Sequence, residues 1–244
     1  PLFDKIFLQI LNPWYGQPVS KTIYPFQDHD PTLTFFPHIY QNVSDLFSVS
    51  PDDKYLSVAE IDRAILNPYW FLKHEYPRRR DWGIPYFTGI CHGDLNMQNI
   101  LLDESMNVYL IDFSETRPRS IISDFARLEA IFLIDNAPLG DNTDMADYLG
   151  FIQQFYSPTR LNELPEVRYE GKYPETVNKN AALALKMRKY AISSTKEHPD
   201  MIPYYFALLE WVTPIVCFST IPLLKKRLAM IVSSLLSEKL IPVL

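Results

Sequence analysis

"CHGDLNMQNILLDESMNVYLIDF", residues 91–113, decides how the rest of the chain is read. Two short runs rich in aliphatics and β-formers, "NILLD" and "NVYLIDF", flank the polar "ESM", and that pattern predicts a β-hairpin. Antiparallel pairing brings the start of the first strand beside the finish of the second. The Asn99 amide and the Asp112 carboxylate then meet at one end of the ribbon. Oxygen ligands of this kind suit Mg²⁺, which takes one or two carboxylates from a protein and leaves its other positions to water and substrate phosphates. Asp94, one loop away, is placed to act on a nucleophile. The stretch is thus either a magnesium-dependent phosphoryl-transfer site or a plain hairpin with buried carboxylates.

The surrounding chain narrows the classes. Its 244 residues, 47% hydrophobic, supply a globular core for one large domain or two small ones. A net charge of -6 and a pI near 5.4 argue against a nucleic-acid binder, whose footprint is a basic face. The basic run Arg78-Arg79-Arg80 is short and reads as a solvated loop beside Pro77. Cys91 and Cys217 lie far apart, with no spacing that builds a zinc site, and read as reduced, buried thiols of a cytoplasmic protein. The apolar stretch at 203–224 carries Glu210 centrally and two prolines, Pro214 and Pro222, so two consecutive buried helices are expected and no membrane span. The first residues, "PLFDKIFLQIL", show neither the basic start nor the cleavage site of a signal peptide.

Residues 1–55 are rich in proline and aromatics without sustained period and read as an irregular but ordered lead-in. Residues 57–76 predict a helix, with Pro68 as a point where it can break: Ser57 precedes Glu60 by three, as in a capping box, and Val58, Ile61, Ile65 and Leu66 share a face. After the hairpin, helices are expected at about 121–135, 143–156, 176–197, 202–218 and 221–239, separated by proline-bearing loops. One hairpin among many helices gives an α+β, mainly α, fold class. It divides into the lead-in, a core at 56–135 and a helical subdomain at 136–244.

"HGDLNMQNILLD" followed by "VYLIDF" resembles the catalytic and metal-binding segments of the aminoglycoside phosphotransferase and choline kinase-like family. The family pattern is H-G-D, four intervening residues, N, and an apolar strand ending in I-D-F, and each element stands here in register. The resemblance implies the C-terminal lobe of a protein-kinase-like fold, with Mg²⁺ and ATP as cofactors and a small-molecule hydroxyl as acceptor. Asp94 would be the catalytic base or orienting carboxylate, and Asn99 and Asp112 would hold Mg²⁺ on the nucleotide phosphates. His92 would support the loop by packing and a backbone hydrogen bond, and Gly93 would permit its sharp turn. Asp124, in "SDFARLEAIFLI", would accept amides of the catalytic loop, a role compatible with Ser123 or Asp124 capping the next helix. Leu101 and Ile111 would floor an adenine pocket, or else be ordinary hairpin core.

The match is firm over residues 85–135. Upstream, a kinase-like enzyme needs a small lobe with a glycine-rich loop and a strand lysine, yet Gly16 is the single glycine before Gly83. "KTIYPF" around Lys21 could be a strand, but no helical glutamate completes the usual ion pair. The small lobe, and other domains of a longer parent chain, are therefore expected outside these residues, and nucleotide binding by this chain alone is expected to be weak. Ser114 stands where protein kinases carry glycine after Asp-Phe, and "SETRPRSIIS" is too short for a regulatory activation loop. The acceptor pocket is expected from the 57–76 helix and the C-terminal helices. Asp141, Asp144 and Asp147 either favour a cationic acceptor or form a solvated helix start. The second reading is a non-catalytic kinase-like sensor or scaffold within a larger signalling protein. A two-metal hydrolase fits less well, since two carboxylates and one amide make a poor two-metal cluster.

Overall fold

The computed structural model describes residues 2–241 apart from Gln17, Phe36 and Asp141. Its strands are β1 (Val19–Ile23), β2 (Tyr55–Val58), β3 (Ile61–Leu66), β4 (Ile84–Cys91), β5 (Ile100–Leu102), β6 (Val108–Leu110) and β7 (Arg117–Ser120). Its longer helices are α1 (His38–Phe47), α2 (Pro68–Arg78), α3 (Ser123–Ala130), α4 (Asn142–Phe155), α5 (Pro174–Ser194), α6 (Ile202–Val212) and α7 (Leu223–Leu240). The protein is mixed α and β and mainly helical, with small antiparallel sheets.

β4 is the central strand of a three-stranded sheet, flanked by β1 and β7 and paired antiparallel to both. Because β4 ends at Cys91, this sheet launches the loop that follows. β5 and β6 form the hairpin expected from "NILLD" and "NVYLIDF", with Ile100 opposite Leu110, Leu101 opposite Tyr109 and Leu102 opposite Val108. The Ile111 amide then donates to the Asn99 carbonyl at 3.1 Å, extending the pairing to the residues before Asp112.

Residues 57–76 are not one helix. β2 and β3 form a second hairpin there, with a bulge at Ser57/Val58, and helix begins only at Pro68. Two local causes set that boundary. The Asn67 side chain accepts the Tyr69 amide at 2.9 Å as an N-cap, and Pro68, at the first helical position, has no amide to lose. Ser57 and Glu60 therefore belong to the strand and turn, and Glu60 pairs with Arg227 of α7 instead of capping a helix.

The lead-in is more regular than its composition suggests. It holds short helical turns, strand β1 and helix α1, and its aromatic residues enter the core. Phe26 lies 4.6 Å, ring to ring, from Phe206 and 5.1 Å from Tyr76, while Phe7 meets Phe125 at 4.8 Å. Each such ring contributes about 1.5–3 kcal/mol by leaving water, so this segment is bound into the core rather than draped over it. The C-terminal helices fall close to their expected places, with α6 continued by a 3₁₀ turn, Thr213–Cys217. Cys91 is buried, Cys217 is half-buried, and neither forms a disulfide. No helix among the described residues is long and apolar enough to cross a membrane.

Candidate functional site

The loop after β4 turns at Gly93, whose φ of +87° lies in the left-handed region. A Cβ there would stand 2.2 Å from the Glu115 carbonyl oxygen, so the turn also requires close backbone approach. The loop is held from below by Asp124, whose carboxylate accepts the His92 amide at 2.9 Å and the Gly93 amide at 3.0 Å. Tyr15 adds a third donor to Asp124 at 3.2 Å. Burial raises the Asp124 carboxyl above the ordinary aspartate range, and the Gly93 and His92 amides offset part of that rise.

His92 is fully buried, sits 5.4 Å from the Phe113 ring, and reaches the Ile111 carbonyl through Nε2 at 3.0 Å. A carbonyl only accepts, so Nε2 is the donor, and the imidazole ties the loop to the second hairpin strand. The Thr116 hydroxyl secures the same segment by donating to the His92 carbonyl at 3.1 Å.

Asn96, which sequence reasoning passed over, organises the other half of the loop. Its Oδ1 accepts the Gln98 amide at 2.8 Å and the Asn99 amide at 3.2 Å, capping a 3₁₀ turn at Met97–Asn99. Its Nδ2 donates to Asp94 Oδ2 at 3.1 Å. The signal was present, since asparagine before a short turn is a preferred cap. Asn99 is buried and donates its Nδ2 to the Asp94 carbonyl at 2.9 Å, which sets the orientation of its amide.

Asp112 lies at the end of the hairpin with φ of +59°, a conformation that favours glycine or asparagine, and its Oδ1 accepts the Ser114 hydroxyl at 2.7 Å. Asn99 thus binds the Asp94 carbonyl and faces Ile111, the residue before Asp112, across the ribbon, while of Asp94, Asn99 and Asp112 only Asp94 lines the adjoining cavity. Leu101 and Ile111 are exposed on the hairpin, at 46% and 40%, and are not part of a buried hairpin core. Among the described residues no group of three or more His, Cys, Asp or Glu side chains is gathered as a metal cage. One amide oxygen and one carboxylate are nonetheless the sparse set from which Mg²⁺ is held when phosphates supply the remaining ligands.

Asp94 faces a cavity of about 340 Å³ lined by Asp30, Arg117, Arg119, Arg127, Glu210 and Trp211, among others. Arg127, from α3, approaches Asp94 Oδ1 at 3.4 Å and stacks on the Trp211 ring at 4.6 Å. Glu210, from α6, binds Arg119 at 2.7 Å and His29 at 2.8 Å. Burial alone would raise the Glu210 carboxyl, but the Arg119 and His29 groups outweigh it and hold it below the ordinary glutamate range. The walls come from the Asp30 segment, β7, α3 and α6, so residues 57–76 do not line this cavity. Asp144 is buried, accepting the Gly140 amide at 2.9 Å and meeting Lys172 at 3.2 Å, and Asp147 lines a separate groove. Neither reaches the Asp94 cavity, and Asp141 lies outside the described residues. Lys21 does stand on a strand, β1, exposed at the rim of a neighbouring cavity of about 610 Å³.

Residues 41–200 match the family model described as ternary complex associated domain 9, and since this spans well over half of the chain, the protein belongs to that family. The matched span contains the loop, the hairpin and α3 but stops short of Glu210 and Trp211. No curated protein and no solved structure matches the chain.

Proposed function

We propose that this chain is the acceptor-binding lobe of a Mg²⁺- and ATP-dependent phosphotransferase acting on a hydroxyl of a small molecule, completed by other domains of its parent protein. The observation that carries the reading is the coupling of two structural units at one point. Asp124 clamps the His92-Gly93 turn, and the β5–β6 ladder sets Asn99 opposite Ile111, the residue before Asp112, which supports a shared role for Asn99 and Asp112. In this reading Asp94 accepts or orients the acceptor hydroxyl, Asn99 and Asp112 hold Mg²⁺, and Leu101 and Ile111 meet the adenine. The metal supplies neutralisation of phosphate charge. The chain's own residues fix the loop, keep the hairpin ends together and present the Asp94 carboxylate to the cavity. Positioning and charge account for most of the catalysis in this reaction class, so few polar residues suffice.

A second reading, a non-catalytic kinase-like module that assembles with other proteins, is favoured by one contact. Arg127 lies 3.4 Å from Asp94 Oδ1, an ion pair that competes with an acceptor hydroxyl for that oxygen. The family's own description refers to a ternary complex, which agrees with an assembly role.

Thermal denaturation of the natural full-length protein separates the two. Mg-ATP at about a hundred times its Kd stabilises a binding protein by about 2.7 kcal/mol, and Asp112→Ala should abolish that shift by removing a metal ligand. Equal melting temperatures with and without Mg-ATP, in both proteins, would sink the enzyme reading and leave the assembly module.

A further inference from the structure

The hairpin at the candidate site shows solvent an apolar surface that a nucleotide does not explain. Leu101, Leu102, Met106, Tyr109, Ile111 and Phe113 are each between 40% and 56% exposed. Leu101 and Tyr109 are cross-strand partners, and Ile111 follows Tyr109 on the same side of the ribbon. Large apolar side chains gathered this way mark contact surfaces in soluble proteins, whereas scattered ones need no explanation. The adenine reading uses only Leu101 and Ile111, and leaves Leu102, Met106 and Tyr109 uncovered.

The charge around this surface is predominantly acidic. Between Arg80 and Arg117 the sequence contains no lysine or arginine, while Asp81, Asp94, Asp103, Glu104, Asp112 and Glu115 are all acidic. Asp81 precedes the far end of β4, but the other five lie on the loop and hairpin or directly after them, so much of the chain's net charge of -6 falls in this segment. Asp94 has Arg127 beside it, but Asp103, Glu104, Asp112 and Glu115 form no ion pair among the described residues. Lys5 reaches the hairpin by donating to the Met106 carbonyl at 2.9 Å.

We propose that the β5–β6 hairpin is a docking surface for a partner polypeptide whose own contact face is apolar and fringed with lysine or arginine. The charge pattern decides among occupants. Nucleic acid and anionic membrane would meet a field of like sign. A second copy of this chain would oppose the same carboxylates to themselves, and like charges across an interface cost several kcal/mol. A basic-rimmed polypeptide gains steering from the rim and affinity from the apolar centre. The inference shares Leu101 and Ile111 with the adenine contact of the phosphotransferase reading, but it does not depend on the reactivity of Asp94 and is read out separately, by peptide binding.

The test uses two synthetic amphipathic peptides, one alternating leucine with lysine and the other leucine with glutamate, titrated into the full-length protein by calorimetry at low and high salt. Amide exchange of residues 97–113 is followed in parallel. The expected result is binding of the lysine peptide, weakening with salt, with protection confined to the hairpin and no binding of the glutamate peptide. Leu101→Ser with Tyr109→Ser should weaken that binding by at least about tenfold, or about 1.4 kcal/mol. Both positions are exposed, so an unchanged melting temperature would show that the variant still folds. Four results would overturn the proposal: equal binding of the two peptides, protection elsewhere, self-association lost in the variant, or co-sedimentation with phosphatidylserine vesicles in place of peptide binding. Absence of all binding would overturn it as well. Because the Mg-ATP melting shift is read separately, peptide binding without that shift leaves this inference standing and removes only the phosphotransferase.

Discussion

Gly93 shows how much a single position can carry. Its φ of +87° and its approach to the Glu115 carbonyl leave no room for a side chain. Gly93→Ala should therefore destabilise the protein by about 1–3 kcal/mol, read by urea denaturation, and should remove any Mg-ATP shift by displacing Asp94. An alanine variant of native stability would show that the turn tolerates a side chain. Gly93, His92 and Asp124 were legible because a motif fixes their spacing, and Asp124 does receive the loop amides expected of it. Asn96 was not legible as a support, because its capping depends on backbone angles that the residue type alone leaves open. The contact of Arg127 with Asp94 was equally hidden, since it joins residues on separate elements.

At the scale of elements, the β5–β6 hairpin and the helices after residue 121 could be read because local pattern and tertiary environment agree. Residues 57–66 could not. Val58, Ile61, Ile65 and Leu66 satisfy a helical stripe, yet their β-branched members are equally suited to strands, and distant contacts decide the matter. Arg63 binds Glu238 at 2.6 Å, the Leu66 amide donates to Glu238 at 3.0 Å, and the Ser234 hydroxyl donates to the Leu66 carbonyl. With Glu60 on Arg227, these contacts fasten the β2–β3 hairpin to α7. Asn67 marks where that regime ends and α2 begins, and its Nδ2 also binds the carbonyls of Ser50 and Asp53 at 2.9 and 2.7 Å. Asn67→Ala removes the cap, worth about 1 kcal/mol, and leaves two carbonyls short of a donor, so about 2 kcal/mol of total loss is expected. Thermal melts and faster exchange of the Tyr69 amide would show it; a loss confined to a few tenths of that figure would mean that Pro68 alone sets the helix start.

Across the whole molecule, the helix that supports the site is held by a buried ion pair that does not line the cavity. Glu129, on α3, binds Arg188 of α5 at 2.8 and 3.0 Å and accepts the Tyr204 hydroxyl of α6 at 2.9 Å, all three residues being fully buried. This network locks the helix that carries Asp124 and Arg127 against its two neighbours. Arg188→Met strands the Glu129 charge and should cost about 3–5 kcal/mol, whereas Glu129→Leu combined with Arg188→Met should recover most of that loss. A double-mutant cycle by chemical denaturation measures both. Equal losses in the single and double variants would show that packing, and not the charge pair, holds α3 in place.

The sequence by itself determined the mixed, mainly helical class and the β5–β6 hairpin, because those follow from local periodicity along short segments. Only the tertiary structure decided that the aromatic lead-in supports the loop through Tyr15, that residues 57–66 are strands, and that Arg119, Arg127, Glu210 and Trp211 wall the cavity beside Asp94. The reason is range. A hydrogen bond from Tyr15 to Asp124 or from Arg119 to Glu210 spans roughly a hundred residues, and no local pattern encodes which distant partner will be there to accept it.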